Sequence, residues 1–458
     1  MSNTISPIDG SIYYSAHENS TSDIQNTLKL AKKSFQLWSD LSVKERSAYI
    51  TLFVEAIQND KKEIAEEITW QMGRPLSQSP GEISGFVERA EYMIDIAEES
   101  LKNYEPNDKP GFKRWVKKVP LGVVAVLSPW NYPLLTSVNA IVPALLAGNV
   151  VVLKHSFQTP LVAERYVKAA REAGFPEGVF QILHLNHQNT SNFIADHKVD
   201  GVLFTGSVNG GIAIQNSLRD KFIPCGLELG GKDPAYVRAD ANLEMTLESL
   251  VDGAFYNSGQ SCCGIERIYV HDSLYKKFVD GFVDLTKKYQ LGNPLEDSSN
   301  LGPMVKTSAA NYVRKQIDDA IKAGARSLVD ESLFSESKKD SPYLSPHVLV
   351  NVDHNMEIMS EESFGPVVGI MKVNNDEQAI QLMNDSQYGL TASLWTNDID
   401  KAAILGNRIE TGTVYMNRCD YLDPALAWTG VKNSGRGVTL SKIGFDHVTR
   451  VKSFHFRK

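Results

Sequence analysis

The chain has 458 residues, 42% of them hydrophobic and 22% charged, with a formal net charge of −8. That length exceeds what one hydrophobic core serves, so two or three domains are expected in an ordinary globular protein. The acidic balance and scattered Lys and Arg residues exclude a nucleic-acid groove as the main function. The N-terminal MSNTISPIDG has neither a charged n-region nor an apolar h-region, so no signal peptide is expected. The most apolar stretch, 138–153, is interrupted by Asn139, Pro143, Gly148 and Asn149, too punctuated to span a bilayer. Cysteines 225, 262, 263 and 419 show no CxxC or Cys/His spacing. A disulfide framework or a metal site is therefore not expected, and a reducing cytoplasm is the default location.

Residues 1–20 are turn-rich, with an alternating, strand-like patch at 11–15. From 22 to about 102 the apolar positions recur at helical spacing (Leu28, Ala31, Phe35, then Ile50, Phe53, Ala56, Ile57), which predicts a helical block. A Pro-, Asn- and Gly-rich loop follows at 103–111. Beyond it, the apolar runs 123–127, 150–153, 180–183 and 202–204 alternate with helical patterns at 134–147, 160–173, 189–196 and 209–219. This rhythm predicts βαβ units and a parallel, doubly wound sheet, which binds ligands outside the carboxyl ends of its strands. A second α/β rhythm runs from about 240 to 430. Its strands are predicted at 267–270, 367–373, 391–395 and 413–416, and its helices at 242–257, 273–288, 307–324, 375–385 and 398–407. Two alternating segments, 113–119 and 449–456, belong to neither rhythm and suggest a small appended sheet of the kind subunits share.

Five short segments could carry chemistry. Cys262 stands behind the Gly259-Gln260 turn, placed for attack, although a free Cys is more often a small packed hydrophobe. Asn131 in SPWNYP leaves the first strand of the sheet and could donate to an oxyanion; it equally suits a Pro-flanked turn. Glu228 beside Gly230-Gly231 could be a general base if partly buried, or a solvated strand-end carboxylate. Gly206, Ser207 and Gly211 form a G-S-x-x-x-G junction from strand to helix that could face a pyrophosphate; a tight turn explains them as well. Lys154, also at a strand end, could donate to ribose hydroxyls or simply be exposed.

Together, SPWNYP (128–133), FTGSVNGG (204–211), LELGGK (227–232), FYNSGQSC (255–262) and EESFGPV (361–367) resemble the aldehyde dehydrogenase superfamily in order and spacing across nearly the whole chain. The resemblance implies an α/β fold with a Rossmann-like dinucleotide-binding domain (1–108 and 121–232), a catalytic domain (233–435) and oligomerisation strands (109–120 and 436–458). It implies a homodimer or homotetramer that oxidises a small-molecule aldehyde with NAD or NADP. Cys262 would be the nucleophile, Asn131 and the Cys262 N–H the oxyanion donors, and Glu228 the base that hydrolyses the thioester. A carboxylate at 228 favours hydrolysis over transfer to coenzyme A. Trp130, Lys154, Gly206, Ser207, Gly211, Glu362 and Phe364 would hold the cofactor, with no metal involved. Cys263 would face the wall.

Three positions depart from the family pattern. Phe157 stands where a ribose-binding Glu is usual, leaving NAD versus NADP open. Ala140 and Thr439 replace a Lys–Glu pair, which implies a different proton exit. Loop 417–424, leading to Trp428, should border the aldehyde channel. Asp420 or Asp423 with Tyr421 would favour a cationic amino-aldehyde; Arg418 would favour a carboxylated one such as succinate semialdehyde; side chains that simply face solvent are an equal alternative. A non-catalytic scaffold and a cofactor-free thioester hydrolase are the competing functions. Retention of Cys262, Glu228, Asn131, Lys154 and Glu362 opposes the first, and the phosphate turn with Glu362 opposes the second.

Overall fold

The computed structural model describes all 458 residues. The hairpin β1 (Ser2–Ile5) and β2 (Ile12–Ala16) leads into four helices, α1 (Thr21–Asp40), α2 (Val43–Asn59), α3 (Lys61–Met72) and α4 (Pro80–Ser100). Capping boxes start the first two: Ser20 with Asp23, and Ser42 with Glu45, each satisfying orphan amides at the helix N-terminus. The periodic apolar residues Leu28, Trp38, Ile50 and Phe53 are fully buried, and Trp38 Nε1 donates to Leu145 O at 3.1 Å.

Strand β3 (Phe112–Pro120) precedes β4 (Val123–Ser128), α5 (Pro133–Leu146), β5 (Val150–His155), α6 (Pro160–Glu172), β6 (Phe180–Ile182), α7 (His187–Ala195), β7 (Gly201–Thr205), α8 (Val208–Ser217) and β8 (Cys225–Glu228). Strands β4 to β8 pair in parallel in the order β8-β7-β4-β5-β6. Every residue of β4 is buried, as a strand covered on both faces by crossover helices must be. The second half runs β9 (Asp233–Val237), α9 (Leu243–Phe255), β10 (Ile265–His271), α10 (Asp272–Thr286), α11 (Thr307–Lys322), β11 (Arg326–Ser327), β12 (His347–Val350), α12 (Glu357–Ser360), β13 (Val367–Val373), α13 (Asp376–Asn384), β14 (Tyr388–Gly389), β15 (Thr391–Trp395), α14 (Ile399–Gly406) and β16 (Thr413–Met416). Its sheet has the order β11-β12-β13-β10-β9-β15-β16 and is parallel except at β11.

The chain then returns to the first sheet. After β17 (Val431–Lys432), which pairs with β14, strand β18 (Gly435–Arg436) joins β8 antiparallel. Trp428, Leu440, Phe445 and Val448 bury themselves in the same core as β4 and β5. Residues 436–448, expected with the appended strands, thus pack on the first sheet instead; their apolar side chains find their core there. Only β19 (Thr449–Arg457) leaves it, pairing antiparallel with β3 over nine residues each. Trp115 stacks on Phe454 at 4.4 Å across that ladder. Strands β9 and β12 were not predicted, and β8 only as the strand that Glu228 leaves, without bounds. Strand β8 holds a Gly and β9 opens Asp-Pro, residues that weaken any strand signal; burial inside a sheet overrides this.

Candidate active site

Helix α9 stops at Phe255, short of the predicted 257, because Asn257, Ser258 and Gly259 all take left-handed backbone (φ 52°, 56° and 70°). Gly is obligatory at 259, since a Cβ there would collide with the carbonyl of Gly365. Ser258 Oγ donates to Gly302 O at 2.8 Å, and Gln260 Oε1 accepts from the Val305 amide at 2.8 Å. So stapled, the loop presents Cys262, half-buried, to a cavity of about 580 Å³ that Glu228 also lines. The Cys262 N–H bonds to no other backbone carbonyl.

Asn131 is buried beneath this loop, its Nδ2 donating to Gln260 O at 3.1 Å. An amide nitrogen has two hydrogens, so one remains for a ligand. What holds Asn131 there was invisible in the sequence. Arg74 and Glu82 form an ion pair at 2.6 Å, with their side chains 1% and 0% exposed. Arg74 also donates to Asn257 Oδ1 at 3.1 Å and to Asn131 O, while Glu82 Oε1 accepts from the Leu134 and Leu135 amides at the N-terminus of α5. Nothing in the sequence marks Arg74 or Glu82, because the signal is what they bond to beyond each other: the turn after α3 and the first turn of α4 meet the start of α5 and the loop after α9.

Glu228 closes the other side. Its carboxylate accepts from Thr205 Oγ1 at 2.9 Å and from Thr439 Oγ1. What surface it keeps opens into the cavity rather than bulk solvent. Burial pushes its pKa above the ordinary carboxylate value, against the pull of the two hydroxyls. Thr439, read from the sequence as the loss of a relay partner, is a hydrogen-bond donor to Glu228. Cys263 is buried, but it also borders the cavity and its thiol donates to Asp420 Oδ1 at 2.9 Å. The neighbouring Cys262 thiol, then burial, push the pKa of that thiol up. The turn after Glu228 touches the nucleophile loop, where a Cβ on Gly231 would sit 2.7 Å from Cys262 O.

The cofactor candidates gather at the strand ends. Lys154 is desolvated, its pKa pushed down to about 8, and its ammonium faces the ring of Phe157 at 5.1 Å. Ser207 is the N-cap of α8, its Oγ accepting from Gly210 N at 3.1 Å. Gly206 has no room for a side chain against Phe204, and a Cβ on Gly211 would lie 2.8 Å from Leu229. Glu362 accepts from the Gly231 amide at 3.0 Å, its pKa pushed up to about 8 chiefly by burial. Phe364 takes φ 53° and packs edge-on to Trp130 at 5.7 Å. An unpaired cation, a helix N-terminus and a turn kept clear of side chains at one sheet edge fit a dinucleotide.

Of the channel candidates, Tyr421, Trp428, Asp420 and Arg418 line the cavity, whereas Asp423 is an exposed turn residue accepting from the Ala425 amide. Arg418 covers the Tyr421 ring at 3.6 Å, and the Tyr421 hydroxyl donates to Glu88 at 2.7 Å. Arg89, Glu88 and Asp252, unnoticed in the sequence, line the same space.

The Aldehyde dehydrogenase family profile matches residues 1–454. The chain belongs to the aldehyde dehydrogenase family. It is 31% identical over 431 residues to the succinate semialdehyde dehydrogenase [NAD(P)+] Sad of Escherichia coli strain K12, covering 94% of this chain and 92% of that protein. The D-glyceraldehyde dehydrogenase (NADP(+)) of Picrophilus torridus is also 31% identical, over 436 residues, covering 94% and 88%. Among solved structures, the succinic semialdehyde dehydrogenase of Streptococcus pyogenes in complex with NADP+ superposes with TM-score 0.95 at 27% identity, covering 100% of both chains. The betaine aldehyde dehydrogenase of Staphylococcus aureus in complex with NAD+ gives 0.94 at 29%, covering 99% of this chain and 91% of the other. This aldehyde dehydrogenase is an oxidoreductase that oxidises aldehydes with NAD(P)+, and no helix is long and apolar enough to cross a membrane.

Two outcomes follow from the geometry. Arg74→Ala strands Glu82 as a buried, unpaired charge, so chemical denaturation should show a loss of about 3–5 kcal/mol. Thr205→Val removes a donor that favours the ionised carboxylate of Glu228. The acid limb of the kcat–pH profile should therefore move to higher pH, with kcat falling more at pH 6 than at pH 8.

Proposed function

We propose that this aldehyde dehydrogenase works through a Cys262 thioester that Glu228-activated water hydrolyses, releasing a carboxylic acid. The observation that carries the reading is that Cys262 and a desolvated, doubly hydrogen-bonded Glu228 face one cavity, with the Asn131 amide bonded to Gln260 O, two residues before the nucleophile. Cys262 sulfur adds to the aldehyde carbon. The free hydrogen of Asn131 Nδ2 and the Cys262 N–H stabilise the charge that develops on oxygen. Lys154, Glu362 and the backbone at Gly206, Ser207 and Gly211 would hold NAD(P)+, with Trp130 and Phe364 as the aromatic wall, and the bound cofactor would supply the acceptor for the hydride that the adduct loses. Glu228 then takes a proton from water as the oxygen attacks the thioester carbon; the C–S bond breaks and Cys262 is regenerated. A cofactor-free hydrolase would have no use for the half-buried, unpaired Lys154 or for Glu362 folded onto the Gly230-Gly231 turn.

Two finer points follow from the walls. Arg89 is committed to Leu135 O and Asn139 Oδ1, and Arg418 lies on Tyr421, whereas Asp252, Asp420 and Glu88 bring three carboxyl groups to the cavity. This balance favours an amino-aldehyde over succinate semialdehyde. At 157, an aromatic ring under a lysine offers no charge to repel a 2′-phosphate, so both cofactors are accepted. The half-exposed sheet of β3 and β19, with Val451 and Phe456 74% and 54% exposed, suits coverage by a second copy in a homodimer or homotetramer.

Glu228→Gln should give a stoichiometric burst of NAD(P)H followed by arrest, with the acyl group retained on Cys262 by mass spectrometry, and Cys262→Ser should give no burst; turnover surviving in Glu228→Gln would remove it as the base. In a kinetic panel, kcat/KM for an amino-aldehyde should exceed that for succinate semialdehyde by about tenfold, roughly 1.4 kcal/mol. In the same panel Phe157→Glu should suppress NADP use and spare NAD.

A further inference from the structure

The base has a back door. A second, small cavity of about 20 Å³ adjoins the far side of Glu228, bordered by Thr439, Arg436, Gly437, His447 and Ala140. That volume is room for about one water. Thr439 donates to Glu228 and is itself held rigid, its N–H and C=O exchanged with Trp428 at 3.0 and 2.9 Å. Gly437, at φ 94°, brings bare backbone beside the imidazole: a Cβ there would lie 3.5 Å from His447 Nδ1. His447 is half-exposed in the turn before β19, so it reaches both the cavity and solvent. Ala140, on the remaining wall, offers no polar atom.

Resting on the reading of Glu228 as deacylation base, we propose that His447 is the exit for the proton Glu228 takes from water, reached through the Thr439 hydroxyl and a water in this cavity. The transfer balances without a further reactant. Protonated Glu228 gives its proton to Thr439 Oγ1, which passes its own hydrogen to the water; the water passes one to the imidazole, and the imidazolium releases it to solvent. Glu228 is left ionised for the next turnover. The charged groups around His447 are Arg436 in the cavity wall and Asp446 beside it, the latter paired with Lys118 of β3 at 2.7 Å. Burial holds the imidazole pKa below its ordinary value, so the ring is neutral and able to accept near pH 7. Thr439 and His447 act here as positioning and relay residues, not as groups that touch the aldehyde.

The test follows the decay of the acyl-enzyme in wild type, His447→Ala, His447→Gln and Thr439→Val, formed with saturating aldehyde and NAD(P)+ and read by quench and mass spectrometry. The NAD(P)H burst should match wild type in amplitude and rate in both His447 variants, which also reports that they are folded. Acyl-enzyme decay should slow at least roughly tenfold in each. Imidazole in the buffer should restore His447→Ala and leave Thr439→Val slow. Decay at the wild-type rate in both His447 variants, or a slowing that imidazole does not relieve, would overturn the relay. The Glu228→Gln variant run alongside separates the two ideas: if it fails to accumulate acyl-enzyme, the base assignment itself falls.

Discussion

Arg74 and Glu82 are the contact on which the site depends. Both side chains are essentially without solvent, and each spends its remaining hydrogen-bonding capacity on a different loop: Arg74 on Asn131 O and Asn257, Glu82 on the first amides of α5. A bare ion pair in that position would cost desolvation energy that its mutual attraction hardly offsets. Here the extra bonds tie the turn after α3, the start of α5 and the loop after α9 into one unit. The nucleophile and its oxyanion donor therefore keep a fixed spacing although 131 residues of sequence separate them.

On this frame the fold places carboxyl groups where water is scarce. Glu228, Glu362 and Asp420 all have pKa values raised by burial above ordinary carboxylates. Such groups weaken the fold at neutral pH, where ionising them in a poor solvent is unfavourable. For Glu228 the same penalty makes a better base, since a carboxylate reluctant to stay charged takes a proton readily. Its two threonine donors temper that reluctance, and Thr439 stands at once on the active cavity's base and on the small cavity behind it.

Much of the architecture was legible in the sequence. The helical block, the βαβ rhythm and the two late strands follow from periodicity, which is a local property of the chain. Strand β12, a buried His-Val-Leu-Val run, carried a signal that was overlooked; β8 and β9 have a weak local signal, and their neighbours in the sheet make them strands. Residues 436–448 were misplaced for the same reason. Among the candidate residues, Cys262, Glu228 and Asn131 stood out because each sits in a short motif with an unusual turn residue beside it. Asp423 could not be told from Asp420 by spacing, and only the fold turns one outward and the other onto Cys263.

What the sequence determined alone was the identity and order of the reactive groups, since a thiol on a Gly-Gln turn and a carboxylate and an amide at strand-exit motifs are chemical facts of the chain. Tertiary structure decided what surrounds them: the Arg74–Glu82 tie, the Asp420–Cys263 contact, the Arg418 cover on Tyr421, and the passage from Glu228 toward His447. Even where the partners are only eight or three residues apart, as in Arg74–Glu82 and Arg418–Tyr421, the contact is set by how the fold turns their side chains. Burial and hydrogen bonding depend on what the folded chain brings within a few ångströms, and no local pattern of residues encodes that.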